Sequence, residues 1–557
     1  MTLIEPKSQD GPRRPRLGSK LDAHAGAFYD AFPIGGDLVW ALVKSGWIVS
    51  FLQSLSDFQR ENPSYRPDGQ TGREWVLRAR PPVEIAESFD LQVEVLFFVS
   101  DFTDLQARTV QLARSTVEAD PRVSRDVVFL VTRDEAADDK VSQIPNSDGV
   151  IPISWGWIRS ASGGGQGEKP LRPRLERHLY ARDLFDIQIP VVGNRFFGRQ
   201  QSLQFLHRQV VSGQPVGVFG LRKIGKTSLL KTFVAETRKS WTGGEPVVVA
   251  VHLDLQAAPL GHRDWAYLLW EIGRQAVEGW MDHPAKGSIR YKPRHLTSDL
   301  LPPAGSDVSA AFDSDIKRLL DSMAKAGPPH LVVVLDEIER LVPPTPSESG
   351  FNGAVDFLRY LRGLNQQGSG LTMILAGANP YLAERSVIAE QENPLLNFIV
   401  KHYLAPLSDE EVRPMIARLG GAMGVKFHHE ATTLVVHEAG GHPFLTRQLC
   451  SLAVRRDRRA RPIVIERSGV EAVLPEFAVS QHHTFQQVFE SLNSYPEEQF
   501  LLRQLAEGEM GFVAEWAASD PMGLEHLKGY GLIEPTVTDY VLSIPSFRNY
   551  LLSAAAR

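Results

Sequence analysis

From Pro215 to Phe233 the chain reads "PVGVFGLRKIGKTSLLKTF", an apolar run that breaks into two glycines and continues directly into Lys-Thr-Ser. A plain strand-to-helix turn needs a turn residue and a cap, and has no use for a lysine fixed between a glycine and a hydroxyl. Gly220 to Ser228 match G-x-x-x-x-G-K-[ST], with a strand-like run before and a helical pattern after. Glycines let such a loop curl until successive backbone N–H groups converge on phosphate oxygens, and the following helix aims its positive end at the same place. Gly220, Leu221, Arg222, Lys223, Ile224 and Gly225 are therefore the expected cradle. Lys226 is expected to reach the β- and γ-phosphates, Thr227 to ligate Mg²⁺, and Ser228 to add a contact.

A bound Mg²⁺ also needs a carboxylate from a neighbouring strand. "HLVVVLDEIERL" supplies one: an apolar run ends in Asp336, with Glu337 next. Successive strand residues face opposite ways, so Asp336 can hold the metal through water while Glu337 deprotonates the attacking water. A third strand, "LTMILAGANP", ends in Asn379, expected to touch the γ-phosphate or the nucleophilic water. Asn before Pro is also ordinary turn chemistry, and an acidic pair can simply cap a strand. The ordered set favours the functional reading.

Around this centre, "PVVVAVHLDL" and "KHYLAPL" complete five apolar strands alternating with longer helical segments between about 190 and 407. Such runs indicate a parallel sheet covered on both faces. Residues 408–477 read as helices only, a lid, and 478–557 as helices followed by a hairpin pattern. Residues 1–20 read as a disordered basic arm, 21–158 as a separate α/β domain with the order α-β-β-β-α-β-β, and 159–189 as a linker rich in Gly, Pro and charge. At 557 residues, 43% hydrophobic and 23% charged, the chain has apolar material for several cores. Its net charge of −6 argues against a protein that coats nucleic acid as a whole. One cysteine, Cys450, forms no internal disulfide or thiolate cluster and fits a reducing compartment. No apolar run reaches the ~18 residues that span a bilayer, so a cytoplasmic protein without a membrane partner is expected.

The residues quoted resemble P-loop ATPases of the AAA+ and STAND superclass, particularly the archaeal-type ATPase group. "VVGNRFFGRQQSLQFL" is similar to that group's hydrophobic-Gly-Arg motif, with Gly198 and Arg199 beside the adenine, although Gln200 stands where a Glu is common. "LAPLSDEEV" resembles its exit from the last strand into the lid. "EAGGHPFLTRQLC" is similar to its G-x-P lid motif, which implies that His442 and Pro443 face the nucleotide. The likeness spans about 190–455 and implies a P-loop α/β fold with a helical lid, binding and hydrolysing ATP with Mg²⁺ and releasing ADP. Relatives often carry an arginine finger to a neighbouring subunit in the segment after the third strand, and in "NPYLAERSVIAEQENPLLNFIV" Arg385 is the only arginine.

The segment after the lid looks like a winged helix. Its expected recognition helix, near 521–530, offers only Lys528 beside Glu525, too little positive charge for phosphate contacts. A competing basic cluster runs from Arg455 to Arg461. The N-terminal order resembles the PD-(D/E)xK nuclease core, with Glu94 in place but Leu96 where the lysine belongs. That substitution points to a degenerate recognition or docking domain, against an active nuclease or an unrelated α/β domain. The pairs His428-His429 and His482-His483 diverge on a helix and read as surface residues rather than metal ligands. Two functional readings emerge. One is a signalling or defence ATPase switch acting through a protein partner or self-association. The other is a DNA-handling AAA+ ATPase of the origin-recognition or transposition type, with an ATPase-coupled nuclease as a weaker variant. Acidic balance and the poor recognition helix favour the switch, with nucleic acid the less favoured partner.

Overall fold

A computed structural model describes residues 28, 32 and 34–555, except 56–57, 59, 61–73, 92, 121, 146, 148, 164–171, 240–244, 258–263, 296–307, 344–349, 510 and 521–522. The arm expected at 1–20 lies outside the described residues. Two compact units divide the chain: residues 1–186 with 416–428 and 457–466, and the remainder.

The first unit opens with helix α1 (Gly35–Lys44) and strands β1 (Ile48–Ser54) and β2 (Glu74–Arg80). Then come α2 (Val83–Phe89), β3 (Glu94–Ser100), α3 (Ala107–Ala119), β4 (Val123–Thr132), α4 (Ala137–Gln143), β5 (Val150–Ser154), α5 (Trp155–Gly163) and α6 (Arg172–Leu179). The sheet runs β1-β2-β3-β4-β5, antiparallel through β3 and parallel from β3 to β5. β3 is buried on both faces, which is why "EVLFFVS" is almost continuously apolar. One face packs Phe97 and Phe129 against Leu38 and Leu42 of α1. The other packs Leu96, Phe98 and Leu130 against Val110, Ala113 and Val117 of α3, a helical spacing that forms one stripe. Helices α2 and α4, each seven residues, fall between strands expected to follow one another more directly. The stretch expected as a linker contains α6, whose Leu175 and Leu179, one turn apart, are buried.

The nuclease-like strand is filled from its neighbour. Leu96 is fully buried and pairs with Arg78 of β2. The Arg78 guanidinium is ion-paired with the buried Asp120 at the end of α3, and Glu94 adds to its field. Arg122 donates to the same carboxylate at 3.0 Å.

In the second unit, α7 (Gln200–Val211) precedes β6 (Val216–Phe219), α8 (Lys226–Lys239), β7 (Val247–Asp254), α9 (Trp265–Met281), α10 (Val308–Met323) and β8 (Pro329–Asp336). α11 (Ala354–Gln366), β9 (Leu371–Gly377), α12 (Tyr381–Glu384), a two-residue pairing of β10 (Val387–Ile388) with β11 (Gln391–Glu392), and β12 (Val400–Tyr403) follow. The sheet order is β12-β6-β9-β8-β7, every pair parallel, as the apolar strand runs imply. Val249, Val333 and Met373 face a core shared with Leu268, Phe312 and Leu358 of α9, α10 and α11. The intervening Ala250, Val332 and Val334 are buried too, so β7 and β8 are covered on both faces at these positions.

The segment expected to be helical throughout holds α13 (Asp409–Gly421), β13 (Val425–Phe427), α14 (His429–Ala439), α15 (Pro443–Arg456) and β14 (Ile463–Ile465), followed by α16 (Arg467–Glu471) and α17 (Leu474–Ser480). β13 and β14 pair in parallel and belong to the first unit, so the expected lid is divided between the units. Three-residue strands are too short to show a period. Arg461 explains part of the basic cluster: its guanidinium donates to the carbonyls of Tyr180, Arg182 and Met423, all in the first unit. Arg459 is tied to Asp457. The chain closes with α18 (His482–Glu490), α19 (Pro496–Glu507), α20 (Phe512–Ser519), α21 (Glu525–Gly529), the antiparallel pair β15 (Ile533–Pro535) and β16 (Tyr540–Leu542), and α22 (Arg548–Ala555).

Asp120 lies below the ordinary carboxylate range: burial pushes it up, but Arg122 and Arg78 outweigh that cost. A carboxylate depressed in this way stabilises the fold above its unfolded-state pKa, and the contribution is lost as pH falls through the folded one. Asp120→Ala takes the carboxylate away from the buried Arg78 and is expected to cost the first unit about 3–5 kcal/mol at pH 7, with a smaller deficit below about pH 4. Denaturant titration at the two pH values checks it; an unchanged midpoint at pH 7 would contradict the pairing.

Candidate functional site

Parallel register brings the C-terminal ends of the central strands to one edge: Phe219 of β6 lies beside Gly377 of β9 and Tyr403 of β12, and Asp254 of β7 beside Asp336 of β8. Open α/β sheets bind ligands at this edge. The loop from Gly220 to Gly225 leaves β6 here and enters α8 at Lys226. Gly225 has φ +104°, a conformation that glycine alone adopts without steric cost, and Lys223 is left-handed at +61°. The Gly220 N–H donates to the Gly377 carbonyl at 3.3 Å, fastening the loop to the next strand. Lys226 is buried and its ammonium donates to the carbonyls of Gly220 at 2.8 Å and Leu221 at 3.1 Å. Burial lowers its proton affinity, opposed by Glu339, Glu337 and Asp336.

Asp336 is almost wholly buried. Its Oδ1 accepts the Glu337 N–H, and its Oδ2 has no hydrogen-bond donor within reach among the described residues, with His252 Nε2 of β7 at 3.5 Å. Burial pushes this carboxyl up, yet His252, the Thr227 hydroxyl and Lys226 together hold it below the usual range. A buried, ionised oxygen without a donor beside a threonine hydroxyl suits a hard divalent cation. Glu337 has the left-handed φ of +56°, a strained conformation of the kind that functional sites retain. Its proton affinity is raised by burial and by the neighbouring charge of Glu339. Asn379 follows β9, and its Oδ1 caps the Tyr381 N–H at 3.0 Å, an arrangement that leaves the amide NH₂ as its remaining donor.

The other expected residues meet the loop from outside. His442 is fully buried, its Nε2 3.2 Å from the Arg222 carbonyl, and burial brings its pKa down to about 4, so the ring is neutral and donates. Pro443 begins α15, and the next residue, Phe444, lies under Lys223 with the ammonium 3.8 Å from the ring centre. Arg199 Nη2 donates to the Ile224 carbonyl at 3.1 Å and Nη1 to that of Ala405. Burial lowers its pKa to about 10, which still leaves it charged. Its backbone N–H donates to Glu411 at 2.8 Å, and a Cβ on Gly198, at φ +66°, would strike the same carboxylate. Ser228 is turned to structure, its hydroxyl accepting the Val191 N–H at 3.0 Å.

Sequence reasoning misses Glu339, His252, Phe444 and Glu411. Glu339 alone had a local signal, as the second acid in "DEIER"; the others reach the loop from distant positions. Arg385 is exposed beside the Tyr381 ring and is not brought to the loop by any described contact. The helix expected to read DNA, α21, has five residues; His526 and Leu527 are buried and Lys528 lies over Tyr540. Among the described residues no group of three or more His, Cys, Asp or Glu is arranged to hold a metal, and no helix is long and apolar enough to cross a membrane.

A parallel sheet with a glycine-hinged loop, a lysine opening the next helix and an acidic pair closing a neighbouring strand is a P-loop NTPase core. Residues 192–498, more than half of the chain, match the family described as novel STAND NTPase 1, and the chain belongs to it. Among solved structures it is similar to the Walker-type ATPase PABY2304 of Pyrococcus abyssi at 17% identity and a TM-score of 0.44, over 66% of this chain and 99% of that one. It is also similar to the Aeropyrum pernix ORC2 protein in ADPNP–ADP complexes (16%, TM-score 0.39, 68% and 99%) and to ORC1 of the same organism in complex with DNA (15%, 0.31, 67% and 95%). No curated protein matches.

Lys226→Ala removes the charge expected to reach the phosphates. Two charge-assisted hydrogen bonds at about 1.5–3 kcal/mol each correspond to at least roughly a 100-fold loss of affinity. Titration with a fluorescent ATP analogue measures it, and wild-type affinity in the variant would contradict the assignment.

Proposed function

We propose that this chain is an ATP-binding and ATP-hydrolysing switch of the STAND type, working in the cytoplasm in bacterial signalling or defence. The observation that carries this reading is the meeting of Lys226, Thr227, Asp336, Glu337 and Asn379 at one sheet edge, with His442 clamping the loop. In this reading Lys226 leaves its loop carbonyls for the β- and γ-phosphates, and the backbone of Gly220–Thr227 surrounds the phosphate chain. Thr227 and Asp336 hold Mg²⁺, which when bound neutralises charge developing on the phosphate oxygens. Glu337, whose burial and neighbour raise its proton affinity, takes the proton of the attacking water. Asn379 orients that water or the γ-phosphate through its amide NH₂. Gly198 and Arg199 border the adenine, and His442 and Pro443 report the nucleotide to the helices that follow.

The γ-phosphate would favour one arrangement of lid and winged-helix tail, and hydrolysis another. The N-terminal unit acts by contact, as an effector or docking module for a protein partner or a second copy of the chain. Arg78 and Asp120 support this, because an internal cation already neutralises the acid beside Glu94, and Leu96 offers no charge to activate water. The DNA-handling reading is disfavoured by the internal use of Arg459, Arg461 and Lys528.

Two outcomes are expected. Glu337→Gln keeps the shape and removes the base, so it should bind ATP yet turn it over at least ~100-fold more slowly; turnover within a few-fold of wild type would place the base elsewhere. The full-length protein should cut neither DNA nor RNA with Mg²⁺ or Mn²⁺ present. Cleavage that disappears in Glu94→Ala would overturn the docking assignment.

A further inference from the structure

The residue before Asn379 is held from two sides. The Ala378 N–H donates to Glu339 Oε1 at 2.5 Å, and its carbonyl accepts from the Tyr530 hydroxyl at 2.9 Å. Glu339 comes from the turn after the acidic strand end, whereas Tyr530 comes from the tail, directly after α21. Glu339 Oε2 is buried, without a hydrogen-bond partner among the described residues, and would be 2.8 Å from a Cβ on Gly377. Its carboxylate also heads the charges that act on Lys226. One residue thus joins the phosphate-facing acids, the third strand and the tail.

Tyr530 is fully buried and lies between two glycines. A Cβ on Gly529 would come within 2.6 Å of the Tyr403 ring of β12, and one on Gly531, at φ +63°, would collide with Pro406. The tail backbone therefore approaches the sheet as closely as the chain allows. The Tyr530 ring meets Tyr403 edge-on, and its hydroxyl stays protonated because burial raises its pKa well above the ordinary value.

A charged cluster fixes the same contact on the other side of Asn379. α12 begins two residues after Asn379 and ends in Glu384, whose two oxygens each lie 3.2 Å from His526 Nε2. Glu498 binds the other ring nitrogen, Lys401 bridges Glu384 at 2.8 Å and Glu525 at 2.5 Å, and Tyr495 donates to Glu384 at 2.6 Å. Burial opposes a charge on His526, but Glu384 and Glu498 bring its pKa up to about 9. Burial likewise opposes a charge on Glu384, and its partners bring that pKa down to about 2. Both ends of the segment 378–384 are thereby held, Ala378 by Tyr530 and Glu384 by His526 of α21, Tyr495 and Lys401.

We propose that Tyr530 is a positioning residue for nucleotide hydrolysis: by holding the Ala378 carbonyl against the pull of Glu339 on the N–H, it sets the orientation of Asn379, so the docked tail governs turnover. This rests on the ATPase reading above. Losing the hydroxyl leaves a buried carbonyl without its donor and frees the Ala378–Asn379 peptide to rotate, which moves Asn379 but leaves Lys226 and the loop of Gly220–Gly225 in place.

The test is steady-state turnover together with nucleotide affinity for full-length wild type, Tyr530→Phe, Glu384→Gln and the double variant, with Glu337→Gln as reference. Tyr530→Phe is expected to lower kcat about fivefold, the scale of one buried hydrogen bond, while ATP-analogue affinity stays within about twofold. Glu384→Gln, which loosens the tail without touching the hydroxyl, should give a similar loss, and the double variant should fall less than the product of the two. Should one single variant fail to fold, the other carries the kcat comparison. Wild-type kcat in a folded single variant, with Glu337→Gln inactive, would overturn the proposal, as would equal losses in kcat and affinity. A wild type that turns over no ATP would instead sink the ATPase reading itself.

Discussion

Everything at the sheet edge depends on one backbone turn. Gly225 at φ +104° lets the chain leave β6, curl and re-enter as α8 with Lys226 pointing back into the loop. A side chain there would carry steric cost, and the N–H groups would no longer converge. Three separate elements hold that turn in place: β9 through the Gly377 carbonyl, the leading segment through Arg199, and α15 through His442. The parallel sheet matters to function chiefly because it places β6 between β12 and β9, where those holds can reach the loop from both sides.

Legibility in the sequence followed locality. The phosphate loop and the acidic pair are contiguous, and each lies at the end of an apolar run whose burial on both faces makes it conspicuous, so both could be read directly. Asn379 was reachable because a third strand of the same character ends there. Glu339, His252 and Tyr530 act through partners on other strands or in the tail, and no local pattern distinguishes a tyrosine that holds a carbonyl from one that fills a core. The same limit applies to the fold. β13 and β14 are three residues each and stabilise one another across 35 intervening positions, while α6 hides in a stretch whose Arg, Pro and Gly content reads as solvated chain. Arg461 was legible only as positive charge; its partners are backbone carbonyls, which carry no sequence signal.

Charge is used in opposite ways in the two units. In the first, Arg78 and Asp120 form a buried ion pair, with Glu94 acting on the same guanidinium. In the second, Asp336, Glu337 and Glu339 crowd one corner, where burial and mutual repulsion raise the proton affinity of Glu337 and the field of all three opposes the desolvation of Lys226. Like charges gathered in a buried corner destabilise the fold unless a ligand or a cation balances them, and they persist where chemistry needs them. That contrast is the physical reason for proposing catalysis in the second unit and contact in the first.

If the phosphate loop and the tail are linked through the segment around Asn379, nucleotide must be felt at both ends. Hydrogen–deuterium exchange on the full-length protein, alone, with Mg²⁺ and ADP, and with Mg²⁺ and a non-hydrolysable ATP analogue, measures this directly. The account predicts that both nucleotides slow exchange across Gly220–Ser228, and that the amides of 525–531 differ between the ADP and ATP-analogue states. Exchange at 220–228 that ignores nucleotide altogether would contradict it.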